Sequence, residues 1–348
     1  MSIKNPINVA LVGFGFSGST FHAPFLNTLE DYNLSSVVSS DPEKVHAFLP
    51  NVRIEADFNK IISDPTIDLI VLATPNSTHY ELAKVALESG KHVVIDKPFT
   101  IHGRDAQELI KTAKQHQRIL TVYHNRRWDG DFLTIQKLLA EKALGDLYLY
   151  EAHFHRYRPL PQPKRWKESH SLGSGILYDL GSHLLDQALL LFGLPDSMDA
   201  DIVTQRPDAV ADDYFHLTLK YGPKRVILKA SNLVCNPGPR YQLHGTQGSF
   251  LKNGIDPQEQ DLLARKSPLD KTWGQDSVEN YGILSLNENH VRIPTLPGNY
   301  SSFYKLLAQS IYENSPPPVL PEEAVQVIQH IEACRNGMRK ANTSMPLK

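Results

Sequence analysis

From Ile7 to Tyr123, short apolar runs alternate with stretches of helical spacing, the order expected of a parallel sheet joined by crossover helices. The runs Ile7 to Val12, Leu34 to Ser39, Asp68 to Ala73, His92 to Asp96 and Ile119 to Tyr123 predict strands. Leu69-Ile70-Val71-Leu72-Ala73 is apolar throughout, as a strand covered on both faces must be. Tyr80 to Leu87 repeats apolar residues at helical spacing before Gly90, a good helix stop, and Arg104 to Gln117 reads the same way.

Beyond residue 124 the pattern changes. Leu147 to Phe154, Tyr214 to Tyr221 and Arg225 to Ala230 read as longer strands, the last two joined by a turn at Gly222-Pro223, which predicts an antiparallel sheet. A helix is expected from about Asp179 to Phe192, closed by Gly193-Leu194-Pro195. Two more should cover Tyr300 to Glu313 and Pro321 to about Arg339. The expected fold is α/β plus α+β: a doubly wound parallel sheet in residues 1–123, then a domain in 124–348 on a mainly antiparallel open sheet, serving substrate binding and oligomerisation. The C-terminal helix is a candidate to pack back on the first domain. A chain of 348 residues also exceeds what one core usually supports.

Composition narrows the partners. Hydrophobic residues at 41% and charged residues at 21% are ordinary for a globular chain, and a net charge of −2 offers no overall basic field for nucleic acid or anionic lipid. Neither a nucleic-acid nor a membrane partner is expected, and no apolar run approaches the ~18 residues of a membrane span. Cys235 and Cys334 make no disulfide framework, and the N-terminal segment lacks the marks of a signal peptide, so the expected location is cytoplasmic.

Gly13-Phe14-Gly15-Phe16-Ser17-Gly18 is a full G-x-G-x-x-G between a predicted strand and a predicted helix. Its first glycine makes the turn, the second lets a pyrophosphate approach the backbone, and the third permits close helix packing, so Gly13, Phe14, Gly15 and Gly18 are candidate cofactor contacts. At the end of the next strand, Ser39 and Ser40 leave room for a 2′-phosphate, whereas Asp41 would favour NAD or simply cap a helix before Pro42. The cofactor is therefore expected to be NAD(P), with NAD against NADP undecided. Thr74, Pro75, Asn76 and His79 follow another strand at the carboxyl edge, where Thr74 and Asn76 are suited to the nicotinamide ribose or to turn capping. Asp96-Lys97-Pro98 delivers Lys97 to the same edge.

In Gly173 to Asp186, Asp179 and His183 stand four residues apart and share a face if helical. They combine an imidazole able to take a proton near neutrality with a carboxylate able to orient it, or else form a hydrogen-bonded core pair. No compact metal-ligand spacing is present, so no metal is expected and a metal hydrolase using His153, His155, His170 or Cys235 is a poor alternative.

These motifs, with Tyr123-His124-Asn125-Arg126-Arg127-Trp128 and Asp213-Tyr214-Phe215-His216, make the chain resemble the Gfo/Idh/MocA oxidoreductases along nearly its whole length. It is most similar to the bacterial branch that includes NADP-linked scyllo-inositol dehydrogenases. The family usually has Glu-Lys-Pro where this chain has Asp96-Lys97-Pro98, which alters the placement of that carboxylate. The resemblance implies a Rossmann first domain, homodimers or homotetramers, and Lys97, Asp179 and His183 as the catalytic set. It also implies NAD(P)-dependent hydride transfer to or from a secondary alcohol carbon of a cyclic polyol or sugar. Asp96 and Lys97 would also border the cofactor. Asn125 and Arg126, together with the segment His153 to Trp166, are expected to meet substrate, above all Tyr157, Trp166 and the neighbouring Arg165, alongside His183. That segment is equally suited to an oligomer contact. Two rival activities remain on the same fold: an idle dinucleotide sensor, and nicotinamide-assisted elimination or glycoside cleavage.

Overall fold

The computed structural model describes residues 5–162 and 166–341, with side chains described to residue 337. Contacts group the chain into two compact units. The first comprises Met1–Trp128 with two later segments, Pro257–Gly274 and Asn299–Val325; the second comprises Asp129–Asp256, Gln275–Gly298 and Gln326–Lys348.

The first unit is built on six parallel strands, β1 (Ile7–Val12), β2 (Tyr32–Val38), β3 (Arg53–Glu55), β4 (Leu69–Leu72), β5 (His92–Asp96) and β6 (Leu120–Tyr123), in the order β3-β2-β1-β4-β5-β6. Its connections include α1 (Ala23–Thr28), α2 (Pro42–His46), α3 (Phe58–Ile62), α4 (His79–Glu88) and α5 (Gly103–Gln115). The five expected strands are present, and the short edge strand β3 is an addition. With only Arg-Ile-Glu, partly exposed and paired to β2 alone, β3 carries no apolar signature. Strand order reverses between β1 and β4, the switch point at which doubly wound sheets bind ligands.

The second unit opens with α6 (Gly130–Ala140) and β7 (Leu147–His155), followed by α7 (Ser182–Phe192). Strands β8 (Ser197–Val203), β9 (Tyr214–Tyr221), β10 (Lys224–Ser231), β11 (Tyr241–Gly245), β12 (Ser249–Lys252), β13 (Gly282–Leu286) and β14 (Asn289–Ile293) complete an eight-stranded sheet, ordered β14-β13-β12-β11-β7-β10-β9-β8. Every neighbouring pair is antiparallel except β7 with β10. On β9, Phe215, Leu217 and Leu219 are buried while His216, Thr218 and Lys220 on the opposite face are half-buried.

Two helices from late in the chain belong to the first unit: α8 (Gln258–Leu263) and α9 (Ser301–Glu313). From α9, Phe303, Tyr304, Leu307 and Ala308 enter the core formed with Val9, Leu11, Phe25 and Tyr123. Tyr304 stacks on Phe25 at 6.0 Å between ring centres and meets Tyr32 edge-on at 5.6 Å. The last helix, α10 (Pro321–Ala341), covers the predicted span. Among the described residues no helix is long and apolar enough to cross a membrane.

Candidate active site

The glycine loop follows β1. Gly13 has φ +94°, and a Cβ there would stand 2.5 Å from the Ala73 carbonyl oxygen at the end of β4. A Cβ on Gly18 would strike the Gly13 carbonyl oxygen, whereas one on Gly15 would meet no atom within 4 Å. Protein packing thus explains the first and third glycines and leaves the second open for an incoming group. A nucleotide pyrophosphate fits that opening, because it needs close approach to backbone N–H groups.

Asp41 is the N-cap of α2: its Oδ1 accepts from the Lys44 backbone N–H at 3.0 Å, and its own N–H donates to Ser39 Oγ at 3.1 Å. Of the two roles expected of Asp41, cofactor contact or helix cap, the capping bond is the one seen, made through this single carboxylate oxygen. Ser39 is half-buried and Ser40 exposed at the end of β2.

After β4, the Thr78 hydroxyl donates to the Thr74 hydroxyl at 2.7 Å, and buried Asn76 opens the short turn behind Pro75. His79 is fully buried, its Nδ1 2.9 Å from the Pro98 carbonyl oxygen and its Nε2 3.0 Å from that of Thr74. Burial lowers its pKa below the usual histidine range. The ring of this candidate cofactor-site residue ties the loop after β4 to the loop after β5.

Lys97 directly follows β5, half-buried, with its backbone N–H donating to Asp96 Oδ1 at 2.8 Å and a cis peptide bond to Pro98. Asp96 does not present a free carboxylate, because Ser17 donates to its Oδ2 and His22 Nε2 lies 3.9 Å away. Burial alone would raise the Asp96 carboxyl, but His22, Lys97 and Ser17 outweigh it and hold the group well below the ordinary range. Asn125 and Arg126 are buried in the turn after β6. Arg126, a candidate substrate contact, is ion-paired to Glu259 of α8 at 2.7 Å.

In the second unit, the stretch predicted as one helix from Asp179 begins as a π-type turn, Leu177–Gly181, before α7. Asp212 sets its start by accepting from the Leu177 backbone N–H at 2.8 Å, while its backbone oxygen accepts from Ile176 at 2.8 Å. Asp179, on that turn, is held by Lys167 at 2.6 Å and Arg156 at 3.5 Å. His183, in the first turn of α7, is buried with its ring 6.3 Å from that of Phe154. Trp166 is half-buried with the Lys167 ammonium 5.7 Å from its ring centre, and Tyr157 is 58% exposed. Arg165 lies outside the described residues. Among the described residues no group of three histidine, cysteine or acidic side chains is placed to hold a metal ion.

Three loop segments named from sequence, at Gly13, Thr74 and Lys97, thus stand at the carboxyl ends of the neighbouring strands β1, β4 and β5. Sequence reasoning missed Lys167 as the partner of Asp179, and missed Ser17 and His22 around Asp96. The nearest signal for Lys167 was its position beside Trp166. Nothing local marks the other two, whose partner is more than 70 residues away.

A doubly wound sheet with this glycine loop at its switch point, followed by an open antiparallel sheet, defines an NAD(P)-binding oxidoreductase. The NAD-binding Rossmann model of the GFO_IDH_MocA oxidoreductase family matches residues 7–124, the model of its C-terminal alpha/beta domain matches 136–347, and the chain belongs to this family. It is 42% identical to scyllo-inositol 2-dehydrogenase (NADP(+)) IolW of Bacillus subtilis, over 97% of this chain and 96% of that protein. It is 45% identical to the uncharacterized oxidoreductase YdgJ of Escherichia coli, over 95% of this chain and 96% of that one. The structure of the putative oxidoreductase yvaA from Bacillus subtilis superposes with a TM-score of 0.93 at 41% identity, covering 97% of both chains.

Proposed function

We propose that this enzyme is an NAD(P)-dependent dehydrogenase that interconverts a secondary alcohol and a ketone on the ring of a cyclic polyol of inositol type, or of a sugar. The observation that carries this reading is the 42% identity to a scyllo-inositol 2-dehydrogenase across nearly the whole of both chains. The glycine loop supports the cofactor half of it, since the space at Gly15 has no other occupant in the protein.

Lys97, Asp179 and His183 form the proposed catalytic set. Bound nicotinamide supplies the hydride chemistry. In oxidation the His183 imidazole takes the hydroxyl proton, and in reduction it returns that proton to the new alcohol oxygen. The Lys97 ammonium stabilises negative charge developing on the same oxygen. Asp179, anchored by Lys167 and Arg156, holds a fixed carboxylate that orients the donors around it. Asn125, Arg126, Tyr157 and Trp166 are the proposed substrate neighbours, with His183, a mixture of hydrogen-bonding groups and aromatic faces suited to a hydroxyl-rich ring.

Self-association as a dimer or tetramer is part of this proposal. On the face of the large sheet opposite its buried side chains, half-buried Leu149, Ile227, Leu251 and Ile283 offer apolar surface for a second copy. Two free cysteines fit a reducing, cytoplasmic location.

The test is a panel of polyols and sugars, with myo-inositol and scyllo-inositol included, assayed with NAD and NADP in parallel by absorbance of the reduced cofactor. Turnover of a ring alcohol is expected, with Lys97→Ala and His183→Ala each abolishing it while cofactor still binds. Full activity in either variant overturns the assigned roles. A product that forms without net cofactor reduction overturns the reaction class.

A further inference from the structure

The carboxylate of Asp96 is the meeting point of three groups in the first unit. Ser17, inside the glycine loop, donates to Oδ2; the Lys97 backbone N–H donates to Oδ1 at 2.8 Å; and His22 Nε2 faces Oδ2 at 3.9 Å. His22 is fully buried, and its other nitrogen, Nδ1, lies 2.6 Å from the Tyr304 hydroxyl on α9. Tyr304 is fully buried as well, held through its backbone oxygen, which accepts from the Tyr32 hydroxyl at 2.6 Å.

Chemistry orders this chain of contacts. The imidazole nitrogen that faces an anion must carry hydrogen, because a lone pair there would oppose the carboxylate. In a neutral ring that leaves Nδ1 as the acceptor for the Tyr304 hydroxyl. Tyr304 keeps its proton, because burial and then the neighbouring Tyr123, Tyr32 and Asp96 raise its pKa well above the ordinary tyrosine value. The hydroxyl of Tyr304 therefore selects the tautomer of His22 that suits an ionised Asp96. His79, buried behind the loop after β5, also feels the charge of Asp96.

We propose that Tyr304 and His22 are positioning residues that hold the Asp96 carboxylate between the glycine loop and Lys97, so that the cofactor loop and the lysine are set by one largely enclosed anion. The inference rests on the reading of Lys97 as a catalytic group, but it is a statement about placement and charge. It assigns a role to the late helix α9 in the geometry of a site made by the first strands.

The experiment reads the lysine and the cofactor without turnover. Wild type, Asp96→Asn, Tyr304→Phe, His22→Gln and His22→Leu are reductively 13C-methylated, with the Lys97 resonance assigned by its loss in Lys97→Arg. The Lys97 titration midpoint is followed by NMR, and NADPH and NADH are titrated by fluorescence. Asp96→Asn is expected to lower the midpoint by about one pH unit or more, through loss of a neighbouring opposite charge. It should also weaken binding of the preferred nucleotide at least about fivefold, a loss of ~1 kcal/mol. His22→Leu and Tyr304→Phe should move both readouts in the same direction, whereas His22→Gln, which keeps a donor near the Nε2 position, should stay near wild type.

The proposal is overturned if folded His22→Leu matches wild type within about twofold in binding and a few tenths of a pH unit in midpoint, or if His22→Gln and His22→Leu behave alike. Should His22→Leu fail to fold, Tyr304→Phe decides alone, since it removes a single oxygen; wild-type values for it overturn the proposal. Because neither readout uses a substrate, the proposal can fail while the dehydrogenase reading stands, and the reverse.

Discussion

Two glycines of one loop should fail in opposite ways when each is changed to alanine. Gly15 has φ outside the left-handed region, and a Cβ there meets nothing within 4 Å. Gly15→Ala should leave the fold intact or stabilise it by about 0.4–1 kcal/mol, because the unfolded chain loses freedom and the folded chain gains no clash. The added methyl instead occupies the approach to the loop. A hydrogen bond to a charged group is worth about 1.5–3 kcal/mol, so displacing one phosphate contact should weaken nucleotide binding roughly tenfold to a hundredfold. Gly18→Ala drives its methyl into the Gly13 carbonyl, also 3.0 Å from the carbonyl carbon, and backbone must move to admit it. Overpacking of this kind costs about 1–3 kcal/mol, so its melting temperature should fall by several degrees even without nucleotide. The assay is a thermal melt of each variant with and without NADPH and NADH, paired with a fluorescence titration. Wild-type nucleotide affinity in Gly15→Ala would refute the placement of the pyrophosphate over this loop.

Three further outcomes follow from the geometry. Glu259→Gln should destabilise the enzyme more than Arg126→Met in chemical denaturation, by about 1–3 kcal/mol. It removes a charged partner from a guanidinium that is 6% exposed, whereas the reverse change leaves a carboxylate that is 29% exposed and still reaches water. Asp41→Asn should leave the NADP-to-NAD preference unchanged within about twofold in parallel binding titrations, since asparagine caps α2 as well as aspartate and only the charge is lost. The third concerns pH: burial, then the charge of Arg118, pushes His92 down to about 4, and its Nδ1 accepts from the Ile119 backbone N–H at 2.9 Å. The unfolded chain takes up that proton near 6.5, so this contribution is complete above about 6.5 and lost as pH falls towards 4. His92→Asn, which keeps an acceptor but does not titrate, should show a smaller drop in melting temperature between pH 7 and pH 4.5 than wild type; an equal drop would refute the assignment.

Much of the first unit was legible because its signals are local. Leu69 to Ala73 could only be a strand covered on both sides, and the glycine spacing declared its own turn. The same holds for β7, β9 and β10, whose lengths and turn residues are written in consecutive positions. β3 was not legible, since three partly exposed residues at a sheet edge need only one neighbour and little burial. The start of the helix expected at Asp179 was not legible either: helical spacing is the same in sequence whether the first turn is α or π, and the turn here is set by Asp212, more than 30 residues on.

Sequence alone determined which reactive side chains are available: the glycines, the lysine after the strand, the acid and the histidine are covalent facts, and spacing places most of them near an element. Tertiary structure alone decided what each charged group is doing. Asp41 caps a helix, Arg126 pairs with Glu259, His79 bridges two loops, and Asp96 is shared by Ser17, His22 and the Lys97 backbone. The reason is physical: a strand's tendency to form depends on its neighbours along the chain, whereas the state of a buried charge depends on the few groups within about 4 Å, most of which the fold brings from far away in sequence.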